Sequence, residues 1–169
     1  MTIQTMEDLF VEQIQDLYDA EQRLVKALPK MAEAANDSEL RSAFEDHLQQ
    51  TEGHVQRLEQ VFGELGQEPK KEVCEAMKGL IKEGEKTLDI EEPNLRDAAL
   101  IGAANRVEHY EMAGYGTART LATALGLSRS ATLLEETLEE EKQADAKLTQ
   151  IAEQTVNQKA MRPKTRHAR

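Results

Sequence analysis

The chain has 169 residues, 32 acidic against 21 basic side chains and a formal net charge of −11, with one cysteine, Cys74. That length suits one domain able to bury its own core, and a single cysteine excludes an internal disulfide or a cysteine-based zinc site. No apolar run approaches the ~20 residues that span a bilayer, Met1-Thr2-Ile3-Gln4-Thr5 lacks a secretory leader's basic start and apolar stretch, and the acidic balance disfavours nucleic acid as a partner, so a soluble cytoplasmic protein without membrane contacts is expected.

Aromatics make up 4% of the chain and charged residues 31%, and the dominance of Ala, Glu, Leu, Lys, Gln and Arg favours helix nearly throughout. A first helix is predicted from about Met6 to Ala35. Thr5 and Asp8 form its capping pair, and Phe10, Ile14, Leu17, Leu24 and Leu28 form its apolar stripe. Pro29 falls inside that stretch and predicts a kink or an early end. Asn36-Asp37-Ser38 makes a turn. A second helix follows from about Glu39 to Leu65, with Leu40, Phe44, Leu48, Val55, Leu58 and Phe62 on one side and Gly66 and Pro69 closing it. A short third helix is predicted from roughly Lys71 to Leu88. The fourth runs from about Leu95 to Leu125 and ends at Gly126. Ser128 can cap a fifth, which continues to about Asn157. Residues 1–158 therefore read as one all-α unit, a four-helix bundle with an additional short helix in the crossover. Residues 159–169 hold five Lys or Arg and no acid, which predicts a disordered basic tail. A weak internal echo sets Thr51-Glu52-Gly53-His54 against Lys142-Gln143-Ala144-Asp145 and is consistent with two duplicated helix pairs.

The informative residues are polar groups placed where the helical period calls for apolar ones. At about 100° per residue, Glu21 shares the stripe of Ile14, Leu17, Leu24 and Leu28. Glu108, Glu111 and Tyr115 lie on the face of Leu100, Ala104, Val107, Ala118 and Ala122. Glu141 and Asp145 sit within the stripe of Leu134, Leu138, Leu148 and Ala152. On the second helix His47, Thr51 and His54 lie on or beside the stripe, with Gln50 at its margin. A lone buried carboxylate tends to protonate, and converging carboxylates also repel one another. A pair of divalent cations removes both costs, and bundle-core di-metal sites are built from such residues on facing helices. The competing reading is neutralisation by inward arginines, with Arg106 and Arg119 available. His47 reads as a supporting or ordinary core histidine, and Tyr18 and Tyr115 as packing groups whose hydroxyls bond to the acids.

Tyr18-Asp19-Ala20-Glu21, His47-Leu48 with Thr51, Arg57-Leu58-Glu59, Asp97-Ala98-Ala99-Leu100-Ile101, Val107-Glu108-His109-Tyr110-Glu111 and Glu135-Glu136-Thr137-Leu138-Glu139-Glu140-Glu141-Lys142 occur in order over residues 3–158. In these blocks the chain resembles the YciE/YciF-like branch of the ferritin-like superfamily. The resemblance implies a ferritin-like bundle, a homodimer, an association with stress responses and a carboxylate-rich centre for two metal ions. Iron is the foremost metal, with manganese or zinc as alternatives. Carried over, the ligand positions are Glu21, Gln50, His54, Glu108, Glu111, Glu141 and Asp145. The chain departs from the pattern at Gln50, where relatives carry glutamate, and an amide is a neutral, weaker donor. Three functions follow as alternatives: oxidation of Fe(II) by O2 or peroxide, a non-catalytic stress protein with a weak or structural metal site, and an iron-storing or DNA-shielding cage.

Overall fold

The computed structural model describes residues 3–161 and is helical nearly throughout. Four long helices form the bundle: α1 (Met6–Ala34), α2 (Ser38–Glu64), and, after the short crossover helix α3 (Glu75–Glu85) and a 3₁₀ turn (Lys86–Asp89), α4 (Pro93–Ala124) and α5 (Ser128–Ile151). A π turn (Ala152–Val156) and α6 (Asn157–Ala160) finish the described chain. No helix of the described residues is long and apolar enough to cross a membrane.

Local chemistry accounts for the boundaries. The Thr5 hydroxyl accepts the Asp8 amide while the Asp8 carboxylate takes the Thr5 amide, a complete capping box. The Asp37 side chain accepts from the Glu39 and Leu40 amides and starts α2. Gly66 and Gly126, at φ 66° and 75°, supply the left-handed residue that closes α2 and α4. Pro29 does not end α1, which continues to Ala34. Only the bond to the Val25 carbonyl is forfeited, and Leu28 and Ala32, both buried on either side of the proline, hold the next turn against the core. At the start of α5 the expected Ser128 cap is absent. Glu64 of α2 instead accepts from the Ser130 amide at 2.8 Å and from its hydroxyl, so one helix caps another.

The three-residue turns at 35–37 and 125–127 fold α1 with α2 and α4 with α5 as antiparallel pairs. Contacts between Asp97 and the turn after α1, and between Tyr115 and Glu21, set α4 antiparallel to α1. His54 with Glu140, and Glu64 with Ser130, do the same for α2 and α5. The long crossover between the pairs returns the chain to the end of the bundle where α2 began. It runs along α1, held by the Glu72 amide on the Gln15 carbonyl at 3.3 Å and the Cys74 amide on Asp19 at 2.9 Å. These bonds keep residues 71–74 out of helix, so α3 starts at Glu75 rather than near Lys71. At the close approach of α1 and α4, a Cβ on Gly114 would stand 2.8 Å from the Leu17 Cδ2 methyl, so a larger residue there requires the Leu17 side chain to move.

Asp97, 1% exposed, receives the Asn36 and Asp37 amides at 2.8 Å each. Asp97→Ala leaves the buried Asp37 amide and the more exposed Asn36 amide without this acceptor and is expected to cost about 1–3 kcal/mol, read as a fall in the urea midpoint with the slope unchanged.

The apolar core comes in two parts. One is built around Leu24, Leu28, Leu40, Phe44, Leu100 and Leu148, the other around Phe10, Ile14, Leu58, Phe62, Tyr115 and Leu134. A layer of buried polar side chains lies between them. Where the tail was expected from residue 159, α6 continues to Ala160 and the Lys159 ammonium lies 2.7 Å from Asp37. Residues 162–169 of the expected tail lie outside the described residues.

Candidate metal centre

Each long helix contributes to the polar layer at mid-length: Glu21 from α1, His47 and His54 from α2, Glu108 and Glu111 from α4, and Glu141 from α5. None is more than 6% exposed, and Glu21, His54, Glu111 and Glu141 are fully covered. Each takes a position that the 3.6-residue period points inward, and the apolar turns above and below on the same helix hold it there.

The donor atoms fall into two overlapping sets. Those of His47, Glu108, Glu111 and Glu141 lie within 4.8 Å of one another, as do those of Glu21, His54 and Glu141. Glu141 belongs to both, one oxygen to each side: Oε1 is 3.1 Å from His54 Nδ1 and Oε2 is 3.6 Å from His47 Nε2. His47 Nε2 is also 3.3 Å from Glu108, and His54 Nδ1 is 3.3 Å from Glu21. Ligand bonds of about 2.0–2.2 Å put opposite donors on one ion about 4 Å apart, so each set needs only slight contraction to close.

Hydrogen bonding leaves the inward atoms free. Glu21 Oε2, Glu108 Oε2, both oxygens of Glu111 and of Glu141, His47 Nε2 and His54 Nδ1 have no hydrogen-bond partner among the described residues. Buried polar atoms are ordinarily paired; here the carboxylates of Glu21, Glu108 and Glu141 face two imidazoles at 3.1–3.6 Å and Glu111 adds a fourth, an excess of negative charge that a bound cation would offset. The arginines considered above do not offset it: Arg119 pairs with Glu135 at 2.8 Å, and Arg106 bonds the Gly102 carbonyl of its own helix.

Without cations, protons must carry the compensation. Burial first, and then the neighbouring acids, raise the Glu108 and Glu111 carboxyls well above the usual carboxylate range, although His47 partly offsets this at Glu108. Burial likewise raises Glu141, against the pull of His54. At His54 burial acts to lower the imidazole, but Glu21 and Glu141 outweigh it and push it up to about 11.

The outer atoms of both histidines are held. Gln50 Oε1 lies 3.2 Å from His47 Nδ1. Glu140 Oε2 lies 2.8 Å from His54 Nε2, and the Arg57 guanidinium grips both oxygens of Glu140 at 2.6 and 2.8 Å. Tyr115 donates to Glu21. An acceptor behind each ring keeps a proton on the outer nitrogen and leaves the inner lone pair available.

Of the residues expected from the sequence, Glu21, His54, Glu108, Glu111 and Glu141 are brought together. Gln50 places its side-chain oxygen 3.2 Å from His47 Nδ1, the ring nitrogen that faces away from Glu108 and Glu141. Asp145 lies outside the two donor sets: it turns to Asn105 at 2.6 Å and to His109 at 3.2 Å, with its side chain 23% exposed. His47, expected only in support, supplies a donor atom; its seven-residue spacing from His54, two turns on one face, is the signal that pointed to it.

A family model described as a domain of unknown function, DUF892, matches residues 5–161. The chain is 48% identical to protein YciF of Escherichia coli K12 over 162 residues, 95% of this chain and 98% of that protein. It superposes on the crystal structure of the E. coli stress protein YciF with a TM-score of 0.88 at 46% identity, covering 92% of this chain and 99% of that one. YcfI from Rhodopseudomonas palustris matches with a TM-score of 0.85 at 44% identity, over 87% and 94% of the two chains. A two-domain protein from Anabaena variabilis with a ferritin-like domain reaches 0.62 at 13% identity, over 98% of this chain and 41% of that one, a likeness of fold alone.

Proposed function

The chain belongs to the YciE/YciF-like (DUF892) family of ferritin-like proteins, and from that premise we propose that it is a stress-associated protein binding two metal ions, iron foremost, in its bundle core. The observation that carries this reading is the set of eight unpartnered donor atoms on Glu21, His47, His54, Glu108, Glu111 and Glu141, divided by Glu141 into two groups of ligating size. Two ferrous ions held by these residues would supply two electrons, enough with two protons to reduce a peroxide to water as both ions become ferric, whereas O2 would be taken by the same two electrons only as far as peroxide.

The chain's own residues prepare that centre. Gln50 and Glu140 fix which ring nitrogen of each histidine faces inward, and Arg57 keeps Glu140 charged in spite of its partial burial. Tyr115 occupies one oxygen of Glu21 and leaves the other free. The two apolar halves of the core keep water from Glu21, His54, Glu111 and Glu141, which strengthens their attraction for a cation. Gln50 bears on the ligand question directly: a neutral amide behind His47 serves as an acceptor without adding another negative charge to the cluster.

Anaerobic titration with Fe(II) tests the reading. Two ions per chain are expected, with release of protons at neutral pH, because His54 and the raised carboxyls give theirs up to the metal. Oxidation on adding O2 or peroxide separates the redox function from a structural one: two bound irons that stay ferrous favour the non-catalytic alternative. No uptake beyond adventitious levels overturns the assignment.

A further inference from the structure

The two donor sets differ in how they meet solvent. Between α2 and α5 a cleft of about 360 Å³ opens from the surface and reaches His47, Gln50 and Glu108. His47 and Glu108 are 6% and 2% exposed, and each presents an unpartnered atom, Nε2 and Oε2. Glu39 and Asp46 stand on the cleft wall; Lys147, also on it, is engaged by Glu39, so Asp46 is left as a negative group where a hydrated cation would enter. Ala43 and Ala144 face the same space and keep it open.

Among the described residues the other set has no such approach. Glu21 and His54 have zero exposure. Tyr115, also fully covered, is bonded to Glu21. Glu140 closes on the outer nitrogen of His54 and is itself clamped by Arg57. Movement of an ion outward on this side requires breaking a bidentate ion pair and a hydrogen-bond chain.

We propose that the two metal positions exchange in order: the position of His47, Glu108 and Glu111 fills and empties through the α2–α5 cleft, while that of Glu21 and His54 exchanges only through the first, across Glu141. This rests on the two-metal reading above and adds a division of labour to it, with a retained inner ion and a labile ion on the cleft side. Gln50, beside the cleft and behind His47, becomes the positioning residue of the labile site.

The test uses the full chain loaded anaerobically with Fe(II) and mixed with excess ferrozine, with iron release followed by absorbance. Two phases of equal amplitude are expected, separated by roughly tenfold or more in rate, as befits release that waits on local opening. Ala144→Trp, which fills the cleft, should slow the fast phase by about tenfold or more while equilibrium stoichiometry stays the same. Ala43→Phe, from the opposite wall, should act likewise and guards against misfolding of either variant. Arg57→Leu should speed the slow phase alone. Two irons leaving in one phase, or a fast phase indifferent to both cleft-filling substitutions, overturns the ordered exchange while leaving the two-metal centre intact. A chain that takes up no iron overturns both.

Discussion

Glu141→Ala is expected to empty both metal positions, whereas Glu21→Ala should empty one. The reason is geometric: the two oxygens of Glu141 face opposite ways, toward His54 on one side and His47 on the other, and each donor set counts Glu141 among its members. Removing it takes a donor and a neutralising charge from both ions at once. Loss of an outer-shell partner alone typically weakens metal binding by about 10–100-fold, so loss of a shared direct donor should exceed 100-fold at each position. Glu21 contributes to the set with His54 only. Elemental analysis of protein purified without added metal should give background iron for the first variant and about half occupancy for the second. Circular dichroism should be unaltered in both, because each substitution also relieves charge repulsion inside the bundle. Two retained ions in Glu141→Ala would refute the bridging role.

Glu111→Leu should stabilise the metal-free protein while reducing the gain on adding metal, because Glu111 serves only the donor set of His47 and Glu108. Glu111 is fully buried with neither oxygen bonded, between the apolar halves of the core. A buried polar group without hydrogen-bond partners costs about 1–3 kcal/mol, which an apolar side chain of similar size relieves. The expected readout is a raised urea midpoint without metal and a smaller further rise than in the unsubstituted chain when Fe(II) is added anaerobically. The same charges set the pH dependence. Glu108, Glu111 and Glu141 titrate above their unfolded value of 4.5, and His54 moves from 6.5 to about 11. Folding therefore takes up protons. The stabilisation is complete below the unfolded values and is lost as pH rises through the folded ones. Asp37 and Glu140, held low by Lys159 and Arg57, work in the opposite sense, losing stability as pH falls through their folded values. Metal-free protein should thus be more stable near pH 5.5 than at pH 8, with Glu111→Leu reducing that slope. Metal should reverse the order, since protons compete with it for the same atoms.

The bundle was legible because its signals are local. Stripes such as Phe10, Ile14, Leu17 and Leu24 repeat at the helical period, and glycines at 66 and 126 mark helix ends. The inward acids were legible for the same reason: Glu21, Glu108, Glu111 and Glu141 interrupt stripes that are otherwise apolar. What lay beyond the sequence depends on groups far apart in the chain. Asp145 shares a stripe with Glu141, yet Asn105 and His109 of the neighbouring helix draw it aside. His47 looked secondary until Glu108 and Glu141 were placed against it. The start of α3 is set by Asp19, 55 residues away from Cys74, and the cap of α5 by Glu64, 66 residues before Ser130. No window along one helix contains such pairings.

The crossover also places a reporter inside the fold. Cys74 has no exposed surface; its amide is tied to Asp19, and its sulfur rests against Tyr110 and caps the first turn of α3. Burial raises its thiol above the ordinary range, so the reactive thiolate is scarce even when reagent arrives. Alkylation must wait for the segment to lift from α1, and under mild conditions its rate measures how often that happens. One native sulfur atom can thus time the loosening of the crossover, without any engineered label.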